Sequence, residues 1–500
     1  MEGYLLGLDN GGTVSKAALF DLNGKEIAVS SKKTEMLFPH PGFTERSVDG
    51  LWDANVQAIS DVIKKSGIDP SEIKAVAATG YGNGLIMLDE KGNPTYNAII
   101  STDTRAKDYV KKWDSDGTLE YIYERTVSDI WAAQPVALLA WFRDNKPEVL
   151  KRTKWVFMNK DFIRYKLTDQ VYAEMTDYSG TNTVNLYTKT YDMDLFKKYG
   201  IEDCFDFFPP LKMSSDICGY VTKEAAEVTG LKEGTPVAGG LFDIHACCLS
   251  SGIIDNEKLC LVAGTWTINE YLSKEPVKQM FMNTLSFIPG YYLITEASAT
   301  SASNLDWFIN VLMPKEKEIA EERNESIYDI CNEIVEKTEN EDTGIVFLPY
   351  LFSSNSHPNA KATFLGLNSW HKREHIIRAI YEGIVFSSKQ HVDSLLKHRE
   401  IPEIARISGG PSRSKVWIQM YADVMQMPIE VVAGSELGAL GAAMCAGVAS
   451  GVFSSFDEAV NSMVKVSNIY YPNLKKKDFY DKKYERYKKA VDVTNRYWEE

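Results

Sequence analysis

Five short segments of this 500-residue chain carry residue types suited to gripping phosphate or moving a proton. The first is Gly7-Leu8-Asp9-Asn10-Gly11-Gly12-Thr13-Val14-Ser15-Lys16. Its paired glycines let backbone N–H groups close on an anion, Thr13 and Ser15 add hydroxyls, and Lys16 adds one cation. Asp9, at the end of a predicted strand, is placed to orient water on a divalent metal. The segment is no Walker A motif, since the G-x-x-x-x-G-K-[ST] spacing is missing. A plain tight hairpin explains it equally well. The second is Gly239-Gly240-Leu241-Phe242-Asp243, where a carboxylate before a small-residue helix at 246–252 can take a proton from an attacking hydroxyl. Its structural alternative is a helix N-cap. Ala263-Gly264-Thr265-Trp266-Thr267 offers another phosphate turn. Ile407-Ser408-Gly409-Gly410-Pro411-Ser412-Arg413-Ser414 is a Gly-Gly turn opening a helix, suited to a nucleotide. The fifth, Glu436-Leu437-Gly438-Ala439-Leu440-Gly441-Ala442-Ala443, reads as a helix built for close packing rather than as a site.

Elements that would position these groups are legible around them. Apolar runs at 4–8, 17–20 and 27–29 are separated by Asn10-Gly11-Gly12 and by Asn23-Gly24, which predicts strands joined by hairpins. A helix follows at about Val48–Ser66, with Leu51, Val56, Ile59 and Ile63 as its apolar stripe, then a buried strand at Lys74–Thr79. Strands alternating with helices indicate an α/β domain. The pattern restarts at Lys258–Val262, turns at Gly264-Thr265 and resumes at Trp266–Leu272. Two similar halves are therefore expected, 1–252 and 253–500, the second ending in a charged, solvated helical tail over 475–500.

Composition narrows the function classes. Lys plus Arg number 55 against 69 Asp plus Glu, a formal charge of −14. Broad nucleic-acid or anionic-membrane binding wants the opposite sign. Any phosphate must be held by backbone amides, single cations or a metal. No apolar run approaches the roughly 18 residues of a membrane span, and no secretory leader is expected after Met1-Glu2-Gly3. Seven scattered cysteines without a CxxC suggest neither a disulfide framework nor a zinc ribbon, and point to the reducing cytoplasm. His371 and His375, four apart, read as a solvated helix face rather than a metal site. A Rossmann oxidoreductase is excluded, because no G-x-G-x-x-G joins the first strand to a helix.

Taken in order and spacing, the five segments resemble the FGGY family of carbohydrate kinases from Leu5 to about Gly451, closest to its L-xylulose (3-keto-L-gulonate) kinase branch. Supporting stretches are Asn97–Arg105, Asp161–Thr168, Thr295–Phe308 and Phe347–Leu351. The resemblance implies an α/β chain of two actin-like (ribonuclease H-like) ATPase domains facing each other across a cleft, the first binding sugar and the second nucleotide. It implies Asp243 as general base, with Asp9 and Asp243 approaching Mg²⁺ through water. ATP would meet Gly12, Thr13 and Lys16 at its terminal phosphates, with Gly264 and Thr265 holding them from the other domain. Gly409, Gly410 and Ser414 would line the adenosine and α-phosphate side, with Asp306 near the nucleotide. Sugar contacts would come from Tyr81, Asn83, Asp103 and Trp131, although Asn83 also suits a turn and Trp131 a core. The partner implied is a small sugar or polyol, with a homodimer as the assembly to look for.

Three departures bear on the substrate. The loop at Tyr81–Asn83 lacks the Met-His pair of D-xylulose kinases and the Arg-Glu pair of glycerol kinases. Leu138 stands where the family usually has Lys, and Phe352-Ser353-Ser354-Asn355 replaces the common Gly-Glu-Arg. The resemblance therefore implies ATP-dependent phosphorylation of a ketopentose such as L-xylulose, with D-xylulose, erythritol, gluconate or glycerol as alternatives. An ATP-driven interaction protein is the reading from another class, because actin and heat-shock chaperones share the superfold.

Overall fold

The computed structural model describes residues 3–264, 266–352, 354 and 356–499. The chain forms two compact units. The first comprises 1–254, 272–294 and 434–465, and the second 255–271, 295–433 and 466–500. The sequence suggests one boundary near residues 250–258. The structure ends the first unit's opening segment at Ile254 and then returns two later segments to that unit. Apolar periodicity reports that a segment is buried but not which sheet it is buried against, so these returns leave no local signal.

In the first unit the strands lie in the order Ile217–Tyr220, Pro236–Ala238, Ile73–Gly80, Tyr4–Asn10, Val14–Asp21 and Glu26–Lys33, with Leu241–Phe242 also on Ile73–Gly80. Tyr4–Asn10 runs antiparallel to Val14–Asp21 and parallel to Ile73–Gly80. The central strand is buried on both faces because a helix covers each. Leu6 and Leu8 pack with Leu51, Ile59 and Val62 of the helix Val48–Ser66. Gly7, one residue out of phase, faces the helix Leu437–Ala449, where a Cβ would stand 1.9 Å from the Ala439 carbonyl oxygen. Gly441 of the same helix lies as close to the helix Asp243–Ser250, its missing Cβ 2.2 Å from the Ala246 oxygen. The small-residue run is thus a packing device that brings two helices and a strand together, as its composition suggests.

The second unit repeats the motif. Lys258–Ala263 is antiparallel to Thr267–Ser273 and parallel to Ile404–Gly409, with Ile429–Val432 and Val466–Tyr470 beyond. Register pairs Asn10 with Gly80 in one unit and Ala263 with Gly409 in the other. In both, a hairpin strand ends beside a glycine of its parallel neighbour.

Two sequence expectations are corrected here. The terminal helix Lys477–Trp498 is not a solvated tail. Tyr480, Lys483, Tyr484, Tyr487 and Val491 form a buried stripe, and Lys483 meets Glu382 at 2.7 and 2.9 Å. Its many lysines hide an amphipathic face made of tyrosines, which hydropathy weighs lightly. His371 and His375 do not share a solvated helix face either. His371 precedes the helix Arg373–Leu395, and buried His375 accepts the Lys372 amide through Nδ1 at 3.0 Å, closing the helix N-terminus. None of the seven cysteines forms a disulfide. Among the described residues no helix is long and apolar enough to cross a membrane.

Candidate functional site

The first unit collects two carboxylates at strand and helix ends. Asp9 is the penultimate residue of Tyr4–Asn10, and Asp243 is the first residue of Asp243–Ser250. The N-cap position falls to Phe242 and no side chain closes that cap, so Asp243 does not serve as an N-cap. Burial pushes the Asp243 carboxyl up to about 7, with Asp9 adding repulsion and the Ile244 amide opposing. Burial likewise lifts Asp9 to about 6, Lys16 pulling it down and Glu436 up. Glu436 opens the segment whose small residues mark it for close packing rather than as a site. It holds the Lys16 ammonium at 2.8 Å, so the lysine expected to meet phosphate already has a carboxylate partner. Gly438 then leaves room for Asp9, because a Cβ there would come 2.7 Å from Oδ2. Gly12 and Thr13 are exposed at the tip of the hairpin, where a Cβ on Gly12 would meet nothing within 4 Å.

The loop after Ile73–Gly80 carries Tyr81 and Asn83, both buried. The Tyr81 amide donates to the Asn10 carbonyl at 3.2 Å, tying the loop to the first hairpin. Its phenol is pushed up to about 12 by burial, between the Arg46 cation and the Asp177 carboxylate. Asn83 has φ 65°, so it serves the turn that the sequence also allowed, and its Oδ1 is buried without a partner among the described residues. Gly82 lies against Phe242 and Asp177, a Cβ there falling 2.5 Å from Phe242 Cε2 and 3.0 Å from Asp177 Oδ1. The loop therefore adjoins the residue that precedes Asp243. Trp131 is half-buried and stacks on Phe281, ring centroids 5.6 Å apart.

Asp103 is held by four hydrogen bonds to Thr44 and Arg105. Oδ1 accepts the Arg105 amide and Nε at 2.9 Å, while Oδ2 accepts Thr44 N at 2.7 Å and Arg105 Nη2 at 2.8 Å. With no exposed side-chain surface, it shapes the Thr44–Arg105 region rather than offering a free acceptor.

Several groups near Tyr81 and Asp243 had no sequence signal. Asp177 is buried with Lys160 at 3.6 Å, yet neither of its oxygens accepts a hydrogen bond. His245 follows Asp243 by two residues, is wholly buried, and shares a 2.7 Å hydrogen bond between Nε2 and Thr284 Oγ1. Its Nδ1 has no partner among the described residues. Burial drives its pKa down to about 3, so the ring is neutral. Arg46 is buried with the Gly11 carbonyl 3.4 Å from two guanidinium nitrogens. Buried polar atoms lacking partners are uncommon in folded chains, and their grouping here suits a polyol or ordered water.

The second unit holds a cavity of about 620 Å³. Gly264, Asp306, Gly410 and Ser414 all line it, with Tyr381 and Trp417 stacked at 4.1 Å. Gly409 adjoins it at the strand end, φ 98°, where a Cβ would meet the Ala263 oxygen at 2.2 Å. Ser414 caps the helix Lys415–Met425 by accepting Trp417 N at 3.1 Å. Asp306 accepts the Tyr328 hydroxyl at 2.9 Å. Thr265 lies outside the described residues, as do Ser353 and Asn355. An aromatic-backed cavity floored by a glycine turn at a helix entry fits a nucleoside phosphate.

Comparison with known proteins agrees along the whole chain. Residues 4–250 match the N-terminal domain, and 259–450 the C-terminal domain, of the FGGY family of carbohydrate kinases. A protein of Haemophilus influenzae named probable L-xylulose kinase is 34% identical over 98% of this chain and 99% of its own. The L-xylulose/3-keto-L-gulonate kinase of Escherichia coli is also 34% identical, over 98% and 97%. Among solved structures, the xylulose kinase of Rhodospirillum rubrum superposes with a TM-score of 0.88 at 26% identity, covering 99% of this chain and 100% of that one. The family models and the full-length kinase relatives, rather than the fold, favour an enzyme over an ATP-driven interaction protein. The chain belongs to the FGGY family of carbohydrate kinases, enzymes that move a phosphoryl group from ATP to a small sugar.

Proposed function

We propose that this enzyme phosphorylates a hydroxyl of a ketopentose, L-xylulose before the alternatives, with Asp243 as the general base. The observation that carries this reading is the Asp243 carboxyl at a helix start, lifted to about 7 by burial and by Asp9. A group with that affinity accepts a hydroxyl proton near neutral pH and needs no tautomer or partner to do so. Full-length relatives named for L-xylulose support the substrate class. Tyr81, Asn83 and Trp131 are the proposed sugar contacts, with Asp103 holding the neighbouring backbone. Gly12 and Thr13 are proposed for the terminal phosphates, joined by Lys16, Gly264 and Thr265. Gly409, Gly410, Ser414 and Asp306 are proposed for the nucleoside side.

Mg²⁺ fits the donor set. Asp9 and Asp243 are hard oxygen donors whose raised pKa values record an unmet need for positive charge. No group of three or more His, Cys, Asp or Glu converges among the described residues. A cation here would take its remaining ligands from water and phosphate, as Mg²⁺ does. When bound, it would neutralise charge on the transferring phosphoryl group.

Asp243→Asn tests the base. The variant should bind ADP like the parent while kcat falls by about two to four orders of magnitude. Near-normal turnover would remove Asp243 from that role. ADP release should be screened over L-xylulose, D-xylulose, L-ribulose, erythritol, xylitol, gluconate and glycerol. The highest kcat/KM is expected for L-xylulose, and activity on glycerol alone would overturn the substrate class.

A further inference from the structure

Asn332, on the helix Ile327–Lys337, lines the same cavity as Asp306, Gly410 and Ser414. Its amide orientation follows from its neighbours. Ser414 Oγ already accepts Trp417 N at 3.1 Å as a helix cap, so its hydroxyl hydrogen is free to point elsewhere. Asn332 lies 2.6 Å away, and the atom facing that hydrogen must be the amide oxygen. The Tyr381 hydroxyl reaches the same oxygen at 3.1 Å. Two donors therefore saturate Asn332 Oδ1, and Nδ2 has no acceptor among the described residues. The aromatic pair Tyr381 and Trp417, stacked at 4.1 Å, fixes one of those donors in place. A side-chain amide held this way is pre-organised as a one-way donor on the wall of an aromatic-backed cavity.

We propose that Asn332 is a specificity-determining residue of this kinase, donating one hydrogen bond through Nδ2 to an acceptor on the bound nucleoside. The inference rests on the nucleotide reading of this cavity. Because Oδ1 is taken, Asn332 cannot pair with both the amino group and a ring nitrogen of adenine, as a free amide can. It makes a single donor contact, to a purine nitrogen or to a ribose oxygen. Ser414 in turn becomes the residue that aims the amide.

Asn332→Asp separates this from a structural role. The aspartate keeps an oxygen for Ser414 and Tyr381 and loses only the N–H donor. Adenosine, as an uncharged competitive inhibitor, avoids repulsion between the new charge and phosphate. Its Ki should rise roughly five- to tenfold in the variant, with KM for the sugar unmoved. Adenosine analogues lacking N7, N3 or the 2′-hydroxyl should show which atom is read. The analogue missing that atom binds the parent weakly, and the variant costs it nothing further. An unchanged adenosine Ki, or losses that add for every analogue, overturns the role of Asn332 alone. Failure of the parent protein to bind adenosine or ADP would overturn the nucleotide reading itself.

Discussion

At the scale of single residues, charge at Asp243 decides the reaction as proposed. Burial disfavours its carboxylate more than any neighbour does, with Asp9 adding to the effect. Loss of that charge in acid should therefore silence the enzyme well above the ordinary carboxylate range. kcat/KM for the sugar should be flat above about pH 7 and fall about tenfold per unit below it, Asp9 adding a second step near 6. Saturating Mg²⁺ should move both breaks to lower pH, because a bound cation favours the ionised forms. A profile flat down to pH 5, with Mg²⁺ low, would mean that neither carboxylate gates the reaction.

At the scale of elements, the helix Leu437–Ala449 sets how closely the strand of Asp9 and the helix of Asp243 approach. Gly7 and Gly441 have no room for a Cβ because backbone oxygens stand in the way, and backbone does not step aside as a flexible side chain can. Gly441→Ala should cost about 1–3 kcal/mol and lower the Tm. It should also reduce kcat, since Ala246 shares a helix with Asp243. Gly12→Ala is the control for stability, its hairpin tip being open, and should leave the Tm unchanged. Equal Tm values for the two variants would show that the helix has slack. This helix also marks what could be read in advance. Its spacing of small residues declared close packing, and the hairpins at Asn10-Gly11-Gly12 and Asn23-Gly24 formed where turn chemistry placed them. What it packs against was not legible, nor was Glu436 as the partner of Lys16, because pairs separated by 420 residues leave no local pattern. Asp177 and His245 were hidden for a related reason. Buried polar residues look like ordinary loop and helix residues until the fold shows their hydrogen bonds missing.

At the scale of the whole molecule, the net charge of −14 gives no attraction for nucleotide, so local groups must supply it. The two carboxylates proposed to hold Mg²⁺ weaken the folded chain. Asp9 and Asp243 have folded pKa values of about 6 and about 7, above their ordinary 3.8. Between those limits the folded chain binds more protons than the unfolded one. Their contribution to stability is therefore complete below about pH 4 and disappears as pH rises through 6 and 7. Asp243→Asn removes the larger of the two effects. Above pH 7 the variant should melt a few degrees higher than the parent, reflecting about 1–3 kcal/mol. The gap should narrow towards pH 4 and close below it, where the parent carboxyl is protonated in both states. Mg²⁺ added at pH 8 should raise the Tm of the parent and do far less for the variant, because the cation offsets the buried charge that the substitution removes. Parallel melting curves at every pH would show that the site stores no such tension, and that Asp9 and Asp243 are held without cost to the fold.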